Sequence, residues 1–373
     1  MLHDLKLLIV IFLIFLPGII YCQQIDTDII QLISEKSSKD RIDELLNCPS
    51  CLKNNSDSAK QYTVENVIFP SGDILLNGEL YLPVGSGPFP GIVFMHGGGN
   101  NYEMLYTSVM YDARRFAKCG YVALIYDKRG MGKSGGVFHE STYNDYVNDA
   151  GNAAEFLKNH KKADPNRIGV IGGSQGGRLA PVVAVRFPFI SFVISQSGPI
   201  GPIIDHCNYN IEYALKIRGY EDSTIEQVMP IWKKQHQAWK LQDSLKFAEV
   251  ADEILLARES IDPMALPNTR EEFYTDSNLF FLRPTYNSIQ YDFFDELTEL
   301  NSPWLSVYGE LDSIISVPES ISNLQRQMKI ANNKDYEIVI YKNVGHSFQY
   351  LDTGEFAPEI NIVINWLGEL FNN

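Results

Sequence analysis

Ser174, Asp312 and His346 are of the types that together can turn a hydroxyl into a nucleophile. A serine alone is weakly nucleophilic and needs a base to take its proton. A histidine can do this near neutral pH, and an aspartate can hold the imidazole in the useful tautomer and stabilise its protonated form. Ser174 lies in Gly172-Gly173-Ser174-Gln175-Gly176-Gly177, between an apolar run from Arg167 to Ile171 and a helix predicted to start at Gln175. A strand-to-helix turn that tight needs glycine two positions before and two after the serine, where a Cβ would collide with passing backbone. The serine Oγ would then stand at the carboxyl edge of a sheet, with the Gln175 amide at the helix start aimed at a developing oxyanion. His346 follows the last predicted strand in Asn343-Val344-Gly345-His346, and Asp312 follows the strand before it in Gly309-Glu310-Leu311-Asp312. His96-Gly97-Gly98-Gly99 follows a strand ending at Met95, and its glycines leave backbone N–H groups open. Gly98 is the expected second oxyanion donor, Gly97 stands close behind it, and His96 is expected to prop the loop rather than move protons.

Each of these signals has a plainer reading when taken singly. A serine between glycines arises by chance, and an aspartate after a strand often only forms a turn. Glu310 and Asp352 are placed to compete with Asp312. The combination is what counts: the order is Ser, Asp, His, with each residue past a strand's carboxyl end, where an open α/β sheet places its site. Gly132-Lys133-Ser134-Gly135-Gly136 repeats the glycine–serine–glycine spacing but trails a strand as a loop, and no helix begins at its serine. Its Gly-Lys-Ser also mimics a phosphate-binding loop, but Asp127 stands where the first glycine is required. His139, His160, His206 and His236 have no partner context and read as structural or surface groups. No metal site and no organic cofactor is expected.

The elements that must position these residues are legible as an alternation. Tyr62 onward reads as a hairpin, Val64 to Phe69 and Ile74 to Leu82, around Pro70-Ser71-Gly72-Asp73. Buried-type strands then recur at Gly91–Met95, Tyr121–Tyr126, Arg167–Ile171, Ile190–Ser195, Trp304–Tyr308 and Tyr336–Tyr341, with helical patterns between them. Such runs separated by amphipathic helices predict a mostly parallel sheet with helices on both faces. The rhythm breaks over residues 199–300, which are helix-like and rich in aromatics such as Trp232, Trp239, Phe247, Phe280 and Phe281. This block is expected to be a helical cap inserted into a core formed by residues 62–198 and 301–373. Its aromatics are more often cap core than substrate wall.

The chain has 373 residues, of which 45% are hydrophobic and 21% charged, an ordinary globular composition. A formal net charge of −15 disfavours nucleic acid and anionic lipid as partners. Residues 1–22 carry Lys6, an apolar run from Leu7 to Leu16 and the breakers Pro17-Gly18, and read as a signal peptide. The protein is therefore expected to be secreted or periplasmic, with a lipid anchor on Cys22 or an uncleaved N-terminal anchor as alternatives. Residues 23–61 are expected to form a leading helical segment, from the spacing of Ile25, Ile29, Leu32, Ile33, Ile42, Leu45 and Leu46, followed by a polar linker. Of the five cysteines, Cys48 and Cys51 are expected to form a local disulfide or two idle thiols, and Cys119 to lie in the core.

The glycine loop at His96, the run Asp127-Lys128-Arg129-Gly130-Met131-Gly132-Lys133-Ser134, the elbow at Ser174, Gly309 to Asp312 and Gly345-His346 together resemble the α/β-hydrolase superfamily. The similarity is to its capped esterase, dienelactone-hydrolase-like and acyl-thioester-hydrolase branches, and it spans Val64 to the C-terminus. It implies an α/β-hydrolase fold, a Ser-His-Asp triad acting through an acyl-enzyme, and a structural role for the loop at Asp127 and Arg129. Thioesterase members commonly carry cysteine at the elbow, so serine here favours carboxylic esters, with a small-molecule ester of apolar or aromatic type as the expected substrate. A serine peptidase, an acyl-thioesterase or acyltransferase, and a non-catalytic ligand-binding protein are the rival readings. The absence of a propeller-length N-terminal segment lowers the first, and the intact triad argues against the last.

Overall fold

The computed structural model describes residues 30–33, 44–53, 61–276 and 282–372. The expected signal peptide, most of the leading segment and linker, and Phe280 and Phe281 lie outside these residues. Among the described residues a nine-stranded sheet runs in the order β1-β9-β8-β7-β6-β4-β5-β3-β2. The strands are β1 (Ile30–Ile33), β2 (Tyr62–Ser71), β3 (Ile74–Pro83), β4 (Phe89–Met95), β5 (Val122–Tyr126), β6 (Ala163–Gly173), β7 (Ile190–Gln196), β8 (Trp304–Gly309) and β9 (Tyr336–Tyr341). From β5 through β4, β6, β7 and β8 to β9 all pairings are parallel. The hairpin β2–β3 and the edge strand β1 add antiparallel pairings. This is the α/β-hydrolase fold.

Parallel strands need helices on both faces, and their side chains show it. Every residue of β5 and of β8 is buried. Along β4, Val93 faces one apolar cluster while Ile92 and Phe94 face the other. Helices α2 (Tyr143–Lys158), α3 (Gln175–Arg186) and α9 (Val317–Ala331) cover the first face, through Val147, Ala150, Leu179, Val183, Leu324 and Met328. Helices α1 (Tyr102–Lys118) and α10 (Glu359–Asn372) cover the second, through Ala113, Phe116, Ile360, Val363 and Leu367.

Between β7 and β8 the chain is helical: α4 (Ile203–Ile217), α5 (Asp222–Leu241), α6 (Ser244–Ala257) and the short helices α7 (Arg270–Thr275) and α8 (Arg283–Ser288). This inserted cap has a small core of its own around Val228, Met229 and Ile254. Trp239 is 1% exposed and packs edge-on against Phe247, Phe273 and Tyr286, within the apolar cluster that the cap shares with the first face of the sheet. The cap is pinned to the sheet domain where the Ser288 hydroxyl accepts the first amide of α2 at 2.7 Å.

Two sequence expectations are corrected. Ile30–Ile33 is an edge strand paired antiparallel with β9, with Ile30 opposite Tyr341 and Ile33 opposite Ile338, rather than part of a leading helix. Adjacent residues Leu32 and Ile33 pack into opposite apolar clusters, which only an extended chain allows. Cys51 does not pair with Cys48; it is bonded to Cys119 at the end of α1, so Cys119 is a tether rather than a core thiol. Cys48 is also disulfide-bonded, and Cys207 is a buried free thiol.

Candidate active site

The site stands at the carboxyl ends of the central strands, and local backbone requirements put it there. β6 ends in Gly172-Gly173, α3 begins at Gln175, and Ser174 makes the whole turn with φ 53° and ψ −114°. Its amide donates to the Gln196 carbonyl at 2.8 Å, and its carbonyl accepts the Arg178 amide at 3.0 Å, which starts the helix. A Cβ added at Gly172 would lie 2.3 Å from Gly176 backbone, and one at Gly176 would lie 2.4 Å from the Met95 carbonyl. No side chain fits at either position, which is the spacing the sequence displays.

Ser174, His346 and Asp312 come together. His346 Nε2 is 3.0 Å from Ser174 Oγ, and His346 Nδ1 is 2.7 Å from Asp312 Oδ2. The Asp312 side chain is fully buried. Its other oxygen, Oδ1, accepts the Ile314 and Ile315 amides at 2.9 and 3.1 Å. A carboxylate with both oxygens so engaged can only accept, so Nδ1 of a neutral His346 carries the proton and Nε2 presents its lone pair to the serine hydroxyl. Ser197, itself at φ 47°, donates its hydroxyl to the His346 carbonyl at 2.9 Å and holds that loop from the end of β7. Neither competing carboxylate approaches the imidazole. Glu310 accepts the Asn343 amide at 3.3 Å, and Asp352 caps Thr353 at 2.9 Å.

The glycine loop after β4 lies across from the start of α3. A Cβ at Gly98 would stand 3.8 Å from the Gln175 Cβ, so Gly97, Gly98 and Gln175 belong to one cradle beside Ser174. His96 is buried, and its Nε2 donates to the Tyr126 carbonyl, bracing the loop against β5. Ser134 is occupied elsewhere: its hydroxyl donates to the Asp127 carbonyl at 2.7 Å and accepts the Asn77 amide at 2.9 Å. Arg129 forks onto Asp149 of α2, with its Nη2 at 2.8 Å.

Three contributors have no clear signature in the sequence. Lys128 is buried below the cradle, and its Nζ donates to the Gly97 carbonyl at 2.5 Å and to Gln175 Oε1 at 2.7 Å. Arg178, one turn along α3 from Ser174, donates to the Pro199 carbonyl at 3.1 Å and to the Gly201 carbonyl at 2.5 Å, fixing the chain where it enters the cap. The cap helix α4 crosses beside the triad, where Asn210 donates to the Ile314 carbonyl and His206 comes within electrostatic range of His346. Burial first, then the charge of Arg178, pushes the His206 pKa down to about 3, so this imidazole is neutral beside the site. The spacing of these side chains along the chain carries no pattern; only the fold brings them here. Among the described residues no cluster of His, Cys, Asp and Glu could hold a metal ion, and no helix is long and apolar enough to cross a membrane.

A family model described as X-Pro dipeptidyl-peptidase (S15 family) matches residues 71–312, more than half of the chain and inclusive of the elbow and Asp312. The chain belongs to the S15 family. This S15 member is similar to Esterase EstD of Thermotoga maritima, with 28% identity over 44% of this chain and 41% of that protein. It is also similar to the quorum-quenching protein AidA of Acinetobacter baumannii, with 32% identity over 35% of this chain and 42% of that one. It thus spans less than half the length of these curated relatives. Among solved structures, an esterase of Pyrococcus furiosus superposes with a TM-score of 0.52 at 19% identity, over 87% of this chain and 97% of that one. That likeness is one of fold.

Proposed function

We propose that this S15 member is a serine hydrolase that cleaves carboxylic esters of small or medium size through an acyl-enzyme. The observation that carries the reading is the chain of contacts from Ser174 Oγ to His346 Nε2, 3.0 Å, and from His346 Nδ1 to Asp312 Oδ2, 2.7 Å. In the first half-reaction the Oγ–carbonyl carbon bond forms as the Oγ proton passes to Nε2, and Asp312 stabilises the imidazolium. The Gln175 amide and an amide of Gly97 or Gly98 receive the oxyanion. The intermediate expels the alkoxide, which takes the proton from Nε2. Water then attacks the acyl-enzyme by the same route, returning the acid and the free serine. Esterase EstD, named for this activity, supports the ester reading.

A peptidase reading is favoured by one specific observation, the match to a family described by X-Pro dipeptidyl-peptidase activity. Both readings use the same nucleophile, so the test has two stages. A fluorophosphonate should add its mass to Ser174 of the folded protein, and Ser174→Ala should lower kcat about a million-fold. A p-nitrophenyl ester series beside an Xaa-Pro anilide then separates the two. Turnover of esters alone is expected; turnover of the anilide alone would reverse the ranking, and no labelling at Ser174 would end both. Export is the compartment we infer, supported by the apolar run Leu7 to Leu16 and by the Cys51–Cys119 disulfide, which needs an oxidising environment to persist.

A further inference from the structure

Lys128 is a buried amine with no carboxylate against it among the described residues. It lies between Asp127, which accepts the Lys133 amide of its own loop, and Arg129, which forks onto Asp149 of α2, yet it is buried and turned toward the glycine loop. Among the described residues its Nζ has no carboxylate in ion-pair contact; its neighbours are the Gly97 carbonyl, Gln175 Oε1 and the Tyr146 ring, whose centroid is 5.0 Å away. Lys128, Tyr146 and Gln175 line a small cavity with His96 and Tyr126 at the start of α3. Burying an unpaired ammonium is costly, and here burial alone brings its pKa down to about 7. A fold whose only need at this position were solubility or packing would be served by a methionine of similar length.

The two bonds reach the two halves of the cradle. Gly97 C=O and Gly98 N–H belong to one peptide plane, in which oxygen and hydrogen point to opposite sides. Holding the Gly97 oxygen from below therefore fixes the direction of the Gly98 N–H above. Gln175 supplies the facing amide at the start of α3, and its side chain is held by the same Nζ at 2.7 Å. Glycine flanks make the loop free to turn its peptides, since Gly99 already sits at φ +99°. Something outside the loop has to choose one orientation.

Resting on the acyl-transfer reading, we propose that Lys128 is a positioning residue: its amine clamps the Gly97–Gly98 peptide to Gln175 and so sets the spacing and direction of the two oxyanion donors. The clamp uses two N–H donors, which the amine keeps whether or not it carries a third proton. The clamp acts on the oxyanion, so it should matter in the transition state more than in substrate binding.

The test uses the full-length protein, with Lys128→Met to remove the amine and Gln175→Met to remove only its side-chain partner, the Gln175 backbone amide remaining. With a p-nitrophenyl ester, either variant is expected to lower kcat by about 10- to 100-fold, the scale of a small misplacement of catalytic groups, with KM changed less than about threefold. Affinity for a trifluoromethyl ketone, which presents an oxyanion once Ser174 adds to it, should fall by the same factor as kcat/KM. The double variant should lose little more than Lys128→Met alone, since Lys128→Met already cuts the bond that Gln175→Met removes. A wild-type protein that Ser174-directed fluorophosphonate fails to label would overturn the acyl-transfer reading and the clamp with it. A labelled wild type beside folded variants with unchanged kcat and ketone affinity, or with a rise in KM alone, would overturn the clamp and leave that reading intact. If Lys128→Met does not fold, Gln175→Met decides by the same readings.

Discussion

Ser174 holds a backbone conformation that a side chain rarely adopts, φ 53° and ψ −114°, because it makes the whole turn from β6 into α3 by itself. Such a conformation costs roughly 1–3 kcal/mol, held in place by the packing of Gly172 against Gly176. Ser174→Gly should relieve it and Ser174→Ala should not. We therefore expect Ser174→Gly to be more stable than Ser174→Ala by about 1 kcal/mol in urea denaturation, with both inactive. Equal stability, or a less stable glycine variant, would mean that the turn carries no strain. The elbow was legible in the sequence because its requirement is local: two glycines and a serine within one turn. Asp312 was less so, since Glu310 and Asp352 share its region. What separates them is burial and the Ile314 and Ile315 amides that fill its second oxygen, and neither has a sequence signature.

The elements differ in how far their own pattern determined them. Central strands such as β8 are buried along their whole length, so an apolar run between helical patterns sufficed. β1 is four residues long and takes its hydrogen bonds from β9, a partner hundreds of residues away in sequence, so its isoleucines fit helical spacing equally well. The cap helices were legible as helices, but their polar core was not. His236 of α5 is fully buried, its Nδ1 donating to Asn208 Oδ1 at 2.6 Å and its Nε2 accepting from the Tyr286 hydroxyl at 3.2 Å. Burial lowers its pKa from the usual 6.5 to about 4, so the folded protein keeps it neutral while the unfolded chain protonates it below 6.5. The stabilising effect is complete above pH 6.5 and is lost progressively as pH falls from 6.5 towards 4, by up to about 3 kcal/mol. Carboxylates titrate in the same range, so the measurement is a difference. The stability of wild type minus that of His236→Gln should fall between pH 7.5 and 4.5 in urea denaturation, and a pH-independent difference would exclude the histidine.

Across the whole molecule, the Cys51–Cys119 bond ties the turn at Ser50–Lys53 to the end of α1 and closes a loop of sequence separation 68. Loop-closure entropy for a span of that length is worth about 4 kcal/mol in the chain-entropy picture. The double variant Cys51→Ser, Cys119→Ser should lose stability on that scale by its urea midpoint while keeping its hydrolytic turnover per folded molecule, because the bond packs against the face covered by α1 and touches none of Ser174, Asp312 and His346. Unchanged stability would show that the tether is redundant. The sequence by itself determined the α/β alternation, the inserted helical block and the order of Ser174, Asp312 and His346, because strand burial, helix period and the elbow's steric needs are all short-range. Only the tertiary structure decided that Ile30–Ile33 closes the sheet edge, that Cys51 meets Cys119, and that Lys128 reaches Gly97 and Gln175. Those pairings join residues far apart in the chain, and sequence spacing carries no information about which side chains a packed core will bring within hydrogen-bond reach.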